Sequence, residues 1–254
     1  MNIWLENVAK FEIGHRIHEI LRSSGSQQIQ ILDVGAGTGG DWDALVEKYP
    51  NLKLYLWEPY EISGKILKAR FQNSTVTVLD NLIDSKVKFD YIISLSVLEH
   101  VKNLNAHFEM VKNLLNEKGQ YICNFDDGHF RYNSENIWSL SSNRIAISET
   151  FRTVISRFFT RIYSTGKYQS RVNLDELKSI VESKGLLITA IDYRNIGDLK
   201  GASKLLKNKI SKHDFAESWL NLEKMLNSKL DGHQSTLAEL FLSRTAYICH
   251  AEKE

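Results

Sequence analysis

Apolar residues along this chain change period every ten to fifteen positions, and the changes outline alternating helices and strands. Ile13, Ile17, Ile20 and Leu21 recur at helical spacing, which predicts a lead-in helix from about Trp4 to Ser23, ending at Ser23-Ser24-Gly25. Ile29 to Val34 is instead a short apolar run that stops at a glycine cluster, and a buried parallel strand is the simplest account. The same alternation predicts a helix over Asp41 to Tyr49, stopped by Pro50, a strand over Leu52 to Trp57, and a helix over Glu61 to Phe71. Strands follow at Val76 to Leu79 and Asp90 to Leu95, then a helix from Leu104 to Leu115 ending near Gly119 and a strand from Gln120 to Phe125. Such βα repetition predicts an open, mostly parallel α/β sheet with helices on both faces.

The repetition stops between Asp126 and Arg171, where Phe130, Tyr132, Trp138, Phe151, Phe158, Phe159, Tyr163 and Tyr168 crowd together. This segment is read as a helical cap over the mouth of a site, within a single domain spanning 1–254. The aromatics are read as cap core, with stacking on a sugar or enclosure of a quaternary amine as the alternative. A helix at Leu174 to Lys184 and a strand at Leu186 to Tyr193 resume the pattern. Residues 195–242 form a second, polar and helical excursion before a last strand, Arg244 to Cys249.

Composition narrows the class without choosing a function. At 254 residues, 43% hydrophobic and 25% charged, the chain can bury a core without metals or disulfides. Its 32 basic and 31 acidic residues leave a net charge of +1, which gives no overall pull toward nucleic acid or an anionic membrane. The run from Arg144 to Arg171 is locally basic, with Arg144, Arg152, Arg157, Arg161, Lys167 and Arg171 against Glu149. A solvated helix face is the reading, and an anion-binding patch the alternative. Two cysteines inside apolar runs, Cys123 and Cys249, suit reduced core thiols, and no apolar run reaches the roughly 18 residues of a membrane span. The expectation is a cytoplasmic protein, monomeric or homodimeric, with no integral membrane segment.

The candidate chemistry begins at Asp33-Val34-Gly35-Ala36-Gly37-Thr38-Gly39-Gly40, between the first strand and its helix. Glycines there let backbone N–H groups approach a ligand closely. Gly35, Gly37 and Gly40 also satisfy the dinucleotide fingerprint, so the loop alone does not choose its ligand. Asp33, two residues before the first glycine, would repel a pyrophosphate but attract an ammonium. Glu58, at the end of the second strand, can accept hydrogen bonds from both ribose hydroxyls.

From about Ile29 to Phe125 the chain resembles the class I S-adenosylmethionine-dependent methyltransferases, in their small-molecule branch. The resemblance rests on the glycine loop, Trp57-Glu58-Pro59-Tyr60, Leu79-Asp80-Asn81, and the run from Phe89 to Leu98-Glu99-His100. It implies a seven-stranded Rossmann-like sheet of order 3-2-1-4-5-7-6 with the last strand antiparallel, which would put Cys123 and Cys249 on neighbouring strands. It implies S-adenosylmethionine as cofactor and S-adenosylhomocysteine as product. Asp33, Gly35, Ala36, Gly37 and Gly39 would hold the methionine end, Glu58 with Pro59 the ribose, Asp80 and Asn81 the adenine, and Ser96 the methyl-donor side.

The acceptor is expected to be a small polar molecule, foremost a hydroxyl of a sugar or nucleotide-linked sugar as in surface-polysaccharide pathways. A hydroxyl acceptor needs a positioned base. His129, with Asp127 or Asp126 to orient it, is preferred to His100, and a packing role stands beside catalysis for both. Asp126, Asp127 and His129 lack the further ligands of a metal site, so no metal is expected. The other histidines, His15, His18, His107, His213, His233 and His250, are read as surface or capping groups. The alternatives are an N-methyltransferase for a small amine, phosphorylated or not, a non-methylating relative, and a non-catalytic nucleotide-binding scaffold. A nucleic-acid substrate is disfavoured by charge and by the lack of an Asn-Pro-Pro-Tyr-type or catalytic cysteine motif.

Overall fold

The computed structural model describes residues 11–40, 42–82, 87–125, 172, 174–194, 211–229 and 243–251. Helix α1 (Phe11–Ser23) leads into β1 (Ile29–Val34), α2 (Asp43–Lys48), β2 (Leu52–Trp57), α3 (Glu61–Phe71) and β3 (Thr77–Val78). Then come β4 (Phe89–Ser94), a single 3-10 turn (Leu98–His100), α4 (Leu104–Leu114) and β5 (Leu115–Phe125). The last elements are α5 (Leu174–Ser183), β6 (Leu186–Arg194), α6 (Lys212–Asn227) and β7 (Ser243–His250). The proposed cap at 126–171 lies outside the described residues, as does most of the second excursion, whose described part contains α6.

The strands form one seven-stranded sheet in the order β3-β2-β1-β4-β5-β7-β6, as the family resemblance implies. Strands β1 to β5 pair in parallel, whereas β7 runs antiparallel to both β5 and β6. The apolar runs of β1, β4 and β5 follow from this position, because each central strand is covered on both faces. On one face Ile31, Leu54, Leu56, Ile93 and Ile122 pack with Ile17, Leu21, Leu45, Leu67 and Phe71 of α1 to α3. On the other, Leu32, Ile92, Tyr121, Cys123 and Ile248 pack with Phe108 and Val111 of α4 and Leu177 and Val181 of α5. Each such fully buried side chain stabilises the fold by about 1.5–3 kcal/mol. The free thiols of Cys123 and Cys249 sit on the adjacent strands β5 and β7.

Two boundaries differ from the sequence expectation. Strand β5 begins at Leu115, directly out of α4, because buried Leu115 already pairs with Phe89. A register shift between Phe89 and Tyr91 then absorbs the polar Asn116-Glu117-Lys118, which read as a connection in the sequence. Strand β3 is reduced to Thr77–Val78 at the sheet edge, though the Leu79 N–H still donates to the Leu56 carbonyl at 2.8 Å. Helices α4 and α6 start where side chains cap them, Asn103 accepting from the Ala106 N–H and Ser211 from the Asp214 N–H.

His18 and His107 are not surface groups. His18 is buried on α1 and its Nδ1 meets the Tyr49 hydroxyl. His107 lies on the apolar stripe of α4 with Leu104, Phe108 and Val111, and its Nε2 is 2.8 Å from the Tyr121 hydroxyl. That hydroxyl also bonds Ser94 Oγ. Burial lowers the His107 pKa to about 4, so the folded protein keeps it neutral. As pH falls below about 6.5 the unfolded chain takes up a proton that the folded one refuses until about pH 4. The contribution of His107 is therefore intact above pH 6.5 and declines by about 3 kcal/mol down to pH 4. Urea unfolding at several pH values should show this slope in the parent and a shallower one in His107→Gln; equal slopes would refute it.

Candidate active site

The strand order reverses direction between β1 and β4, and the crevice beyond the carboxyl ends of strands at such a point is where open α/β sheets bind ligands. The glycine loop leaves β1 there. It is anchored to the neighbouring strand, since the N–H groups of Gly35 and Ala36 both donate to the Trp57 carbonyl, at 2.8 and 3.1 Å. Gly35 stands at φ +76, and a Cβ there would come within 2.5 Å of Val97 Cγ2 on the turn after β4. Gly37 stands at φ +61 with nothing within 4 Å of a Cβ position, so the loop crest opens onto empty space. A ligand can lie against bare backbone at Gly37, and any side chain there would occupy its place.

Glu58, the first residue beyond β2, faces this crest. Its Oε2 accepts the Gly37 N–H at 2.7 Å and its Oε1 accepts the Tyr60 N–H at 2.8 Å. A carboxylate offers about four lone-pair positions, so one on each oxygen remains for a ligand. Vicinal hydroxyls fit that pair.

Asp33 is fully buried on β1, where its Oδ2 accepts from the indole Nε1 of Trp42 at 2.7 Å. Trp42 is itself buried, its N–H donating to the Gly39 carbonyl at 3.1 Å, so the loop exit is pinned to the strand beneath it. Asp80 and Asn81 follow β3 at an exposed rim, with Lys68 of α3 ion-paired to Asp80. Pro59 and Tyr60 are exposed beside Glu58.

Ser96 is exposed beyond β4 at φ +56. His100 ends the 3-10 turn that follows, its side chain 47% exposed and Nε2 4.0 Å from Glu99 Oε1. Gly35, Glu58, Asp80 with Asn81, and Ser96 with Val97 thus all follow the carboxyl ends of β1 to β4, and direct contacts join Gly37 to Glu58 and the Gly35 position to Val97. Asp127 and His129 lie outside the described residues.

Three further residues at this end of the sheet escaped the sequence reading. Trp42 carried no signal beyond its place after the loop. Asn124 is a buried polar residue in the apolar run of β5, and that interruption was its signal. Arg244, 1% exposed at the start of β7, lies over the rings of Phe125 (5.2 Å) and Tyr193 (6.0 Å), a contact between strands remote in sequence. Among the described residues no cluster of His, Cys, Asp and Glu could hold a metal ion, and no helix is long and apolar enough to cross a membrane.

The family model described as Methyltransferase domain matches residues 6–190. The chain belongs to that family. Solved structures support the fold of the methyltransferase at low identity. Magnesium protoporphyrin IX methyltransferase from Synechocystis PCC 6803, solved with S-adenosylhomocysteine, is 13% identical, with 96% of this chain and 84% of that chain covered and a TM-score of 0.53. A cyclopropane synthase from Mycobacterium tuberculosis is 14% identical, with 91% and 82% covered and a TM-score of 0.55. A phosphoethanolamine N-methyltransferase of Haemonchus contortus, in complex with phosphomonomethylethanolamine and S-adenosylhomocysteine, is 14% identical. That match covers 94% of the methyltransferase and 53% of the nematode chain, with a TM-score of 0.57. No curated protein sequence matches.

Proposed function

We propose that this chain transfers a methyl group from S-adenosylmethionine to a small polar acceptor, foremost a hydroxyl of a sugar or nucleotide-linked sugar. The observation that carries the cofactor reading is Glu58, which braces the Gly37 N–H while keeping a lone-pair position on each oxygen for two ribose hydroxyls. The open crest at Gly37 fits a ligand lying on the loop. When bound, S-adenosylmethionine supplies an already activated methyl on a sulfonium, so the protein's work is chiefly alignment.

In this reading the loop from Gly35 through Ala36 and Gly37 to Gly39 carries the methionine moiety, and the negative charge of buried Asp33 favours its ammonium. Asp80 accepts from the adenine amino group with the Asn81 backbone beside it, Pro59 flanks the ribose, and Ser96 lines the methyl-donor side. The base for a hydroxyl acceptor is assigned to His129, oriented by Asp127, with His100 as the substitute; the 126–171 cap encloses the acceptor. A reducing, cytoplasmic setting agrees with the free thiols of Cys123 and Cys249. The sugar assignment rests on analogy with methyltransferases of surface-polysaccharide pathways, which this chain resembles in its Lys-, Asn- and Ile-rich composition and its generic cofactor half.

A second reading, N-methylation of a small phosphorylated amine, draws support from the likeness to the nematode N-methyltransferase, which was solved with such an amine. Transfer of labelled methyl from S-adenosylmethionine to parallel panels of sugar nucleotides and phosphorylated amines separates the two. For the hydroxyl reading, His129→Ala should lower kcat by about a hundredfold or more while leaving S-adenosylhomocysteine affinity unchanged. Turnover unaffected by His129→Ala and by His100→Ala would favour the amine. Saturation by a nicotinamide dinucleotide with no heat from S-adenosylhomocysteine in calorimetry would overturn both.

A further inference from the structure

Asn124 follows Ile122 on one buried face of β5, opposite to the face of Cys123 and Phe125, and is only 6% exposed. An amide in that position needs a partner to offset its desolvation. Its Oδ1 accepts the backbone N–H of Ser96, on the turn after β4. This bond also orients the amide, because only the oxygen can receive an N–H.

Ser96 is the one residue other than glycine with positive φ among the described residues, at +56. A Cβ disfavours that conformation, so something must hold it. The consequence of the turn is visible one residue on. Val97 packs into the space a side chain at Gly35 would take, 2.5 Å from that Cβ position, and its carbonyl then accepts the His100 N–H to close the 3-10 turn. A chain of contacts therefore runs from β5 through Ser96 and Val97 to the first glycine of the loop.

We infer that Asn124 is a positioning residue for the cofactor site: by holding Ser96 in the left-handed conformation it seats Val97 against Gly35 and sets the wall between the glycine loop and β5. The inference rests on the cofactor reading above. It assigns Asn124 no contact with the reacting atoms.

The conformation itself supplies the test, because glycine adopts positive φ without help. Parent, Asn124→Ala, Ser96→Gly and the double variant are compared by calorimetry with S-adenosylhomocysteine and by thermal unfolding. Asn124→Ala should weaken binding about tenfold in the parent background, because without that bond the binding-competent turn becomes a minor conformation of the free protein. With glycine at 96 the same change should cost about threefold or less. Equal binding by the parent and Asn124→Ala overturns the inference, and so does the same loss in both backgrounds. Should Asn124→Ala fail to fold, recovery of folding and binding in the double variant supports it, and a double variant equally unfolded overturns it. A parent that binds no S-adenosylhomocysteine overturns the cofactor reading and the inference with it, whereas binding by the parent beside an unaffected Asn124→Ala variant removes the inference alone.

Discussion

Glu58→Ala is expected to weaken S-adenosylhomocysteine binding by at least a hundredfold, about 3 kcal/mol, with little change in thermal stability. Hydrogen bonds to a charged acceptor are worth about 1.5–3 kcal/mol each, and the proposed ribose contacts number two. The same carboxylate accepts the N–H groups of Gly37 and Tyr60, so its loss also frees the loop crest that the ligand lies on. Stability should suffer little, because Glu58 is half-buried and Tyr60 exposed, leaving water to replace the lost acceptors. Glu58→Gln keeps one oxygen and should fall between, near tenfold. Calorimetry beside a thermal melt reads both effects, and an alanine variant that binds like the parent would remove Glu58 from the site.

Substitutions in the glycine loop should separate folding from binding. At Gly35 the left-handed conformation costs an alanine about 1–2 kcal/mol, and the new Cβ would meet Val97 Cγ2 at 2.5 Å, so Gly35→Ala should destabilise the protein by about 3 kcal/mol in all. Adding Val97→Ala relieves the contact and not the backbone cost, so the double variant should recover only part of the loss. Gly37→Ala meets no neighbour and should destabilise by only about 1–2 kcal/mol. Its methyl, however, would project into the open crest and should abolish cofactor binding by a protein that remains folded. Chemical denaturation with ligand titration tests the contrast, and equal behaviour of the two alanine variants would show that the crest is not where the ligand lies.

The central strands were legible because burial on both faces writes a strand as a mainly apolar run, as in Ile29–Val34 and the core of β5, whereas Leu52–Trp57 showed itself by alternation, with Lys53 exposed between buried Leu52 and Leu54. Local alternation failed where a strand is part polar: the Asn116-Glu117-Lys118 stretch belongs to β5 because Leu115 pairs with Phe89, a partner that no local pattern announces. The glycine loop and Glu58 were legible as types at a spacing. What the sequence could not convey was which groups answer one another across the sheet. The Trp42 indole on Asp33, the Asn124 amide on Ser96 and the Arg244 guanidinium over Phe125 each join residues of separate elements. His107 is a different kind of miss, since its helical spacing with Leu104, Phe108 and Val111 already marked the buried face, and only its polarity argued for the surface.

The insertion of β7 between β5 and β6 governs the order in which the molecule can assemble. Strands β1 to β5 meet through successive short crossovers, so that half can form while later residues are still being synthesised. Strand β5 nevertheless keeps a raw edge until Arg244 arrives opposite Phe125, and β6 has no partner strand in the sheet before then. Closing so distant a pairing is slow, and a nascent chain stalled before residue 243 would expose a naked apolar strand edge, the template on which chains stick to one another.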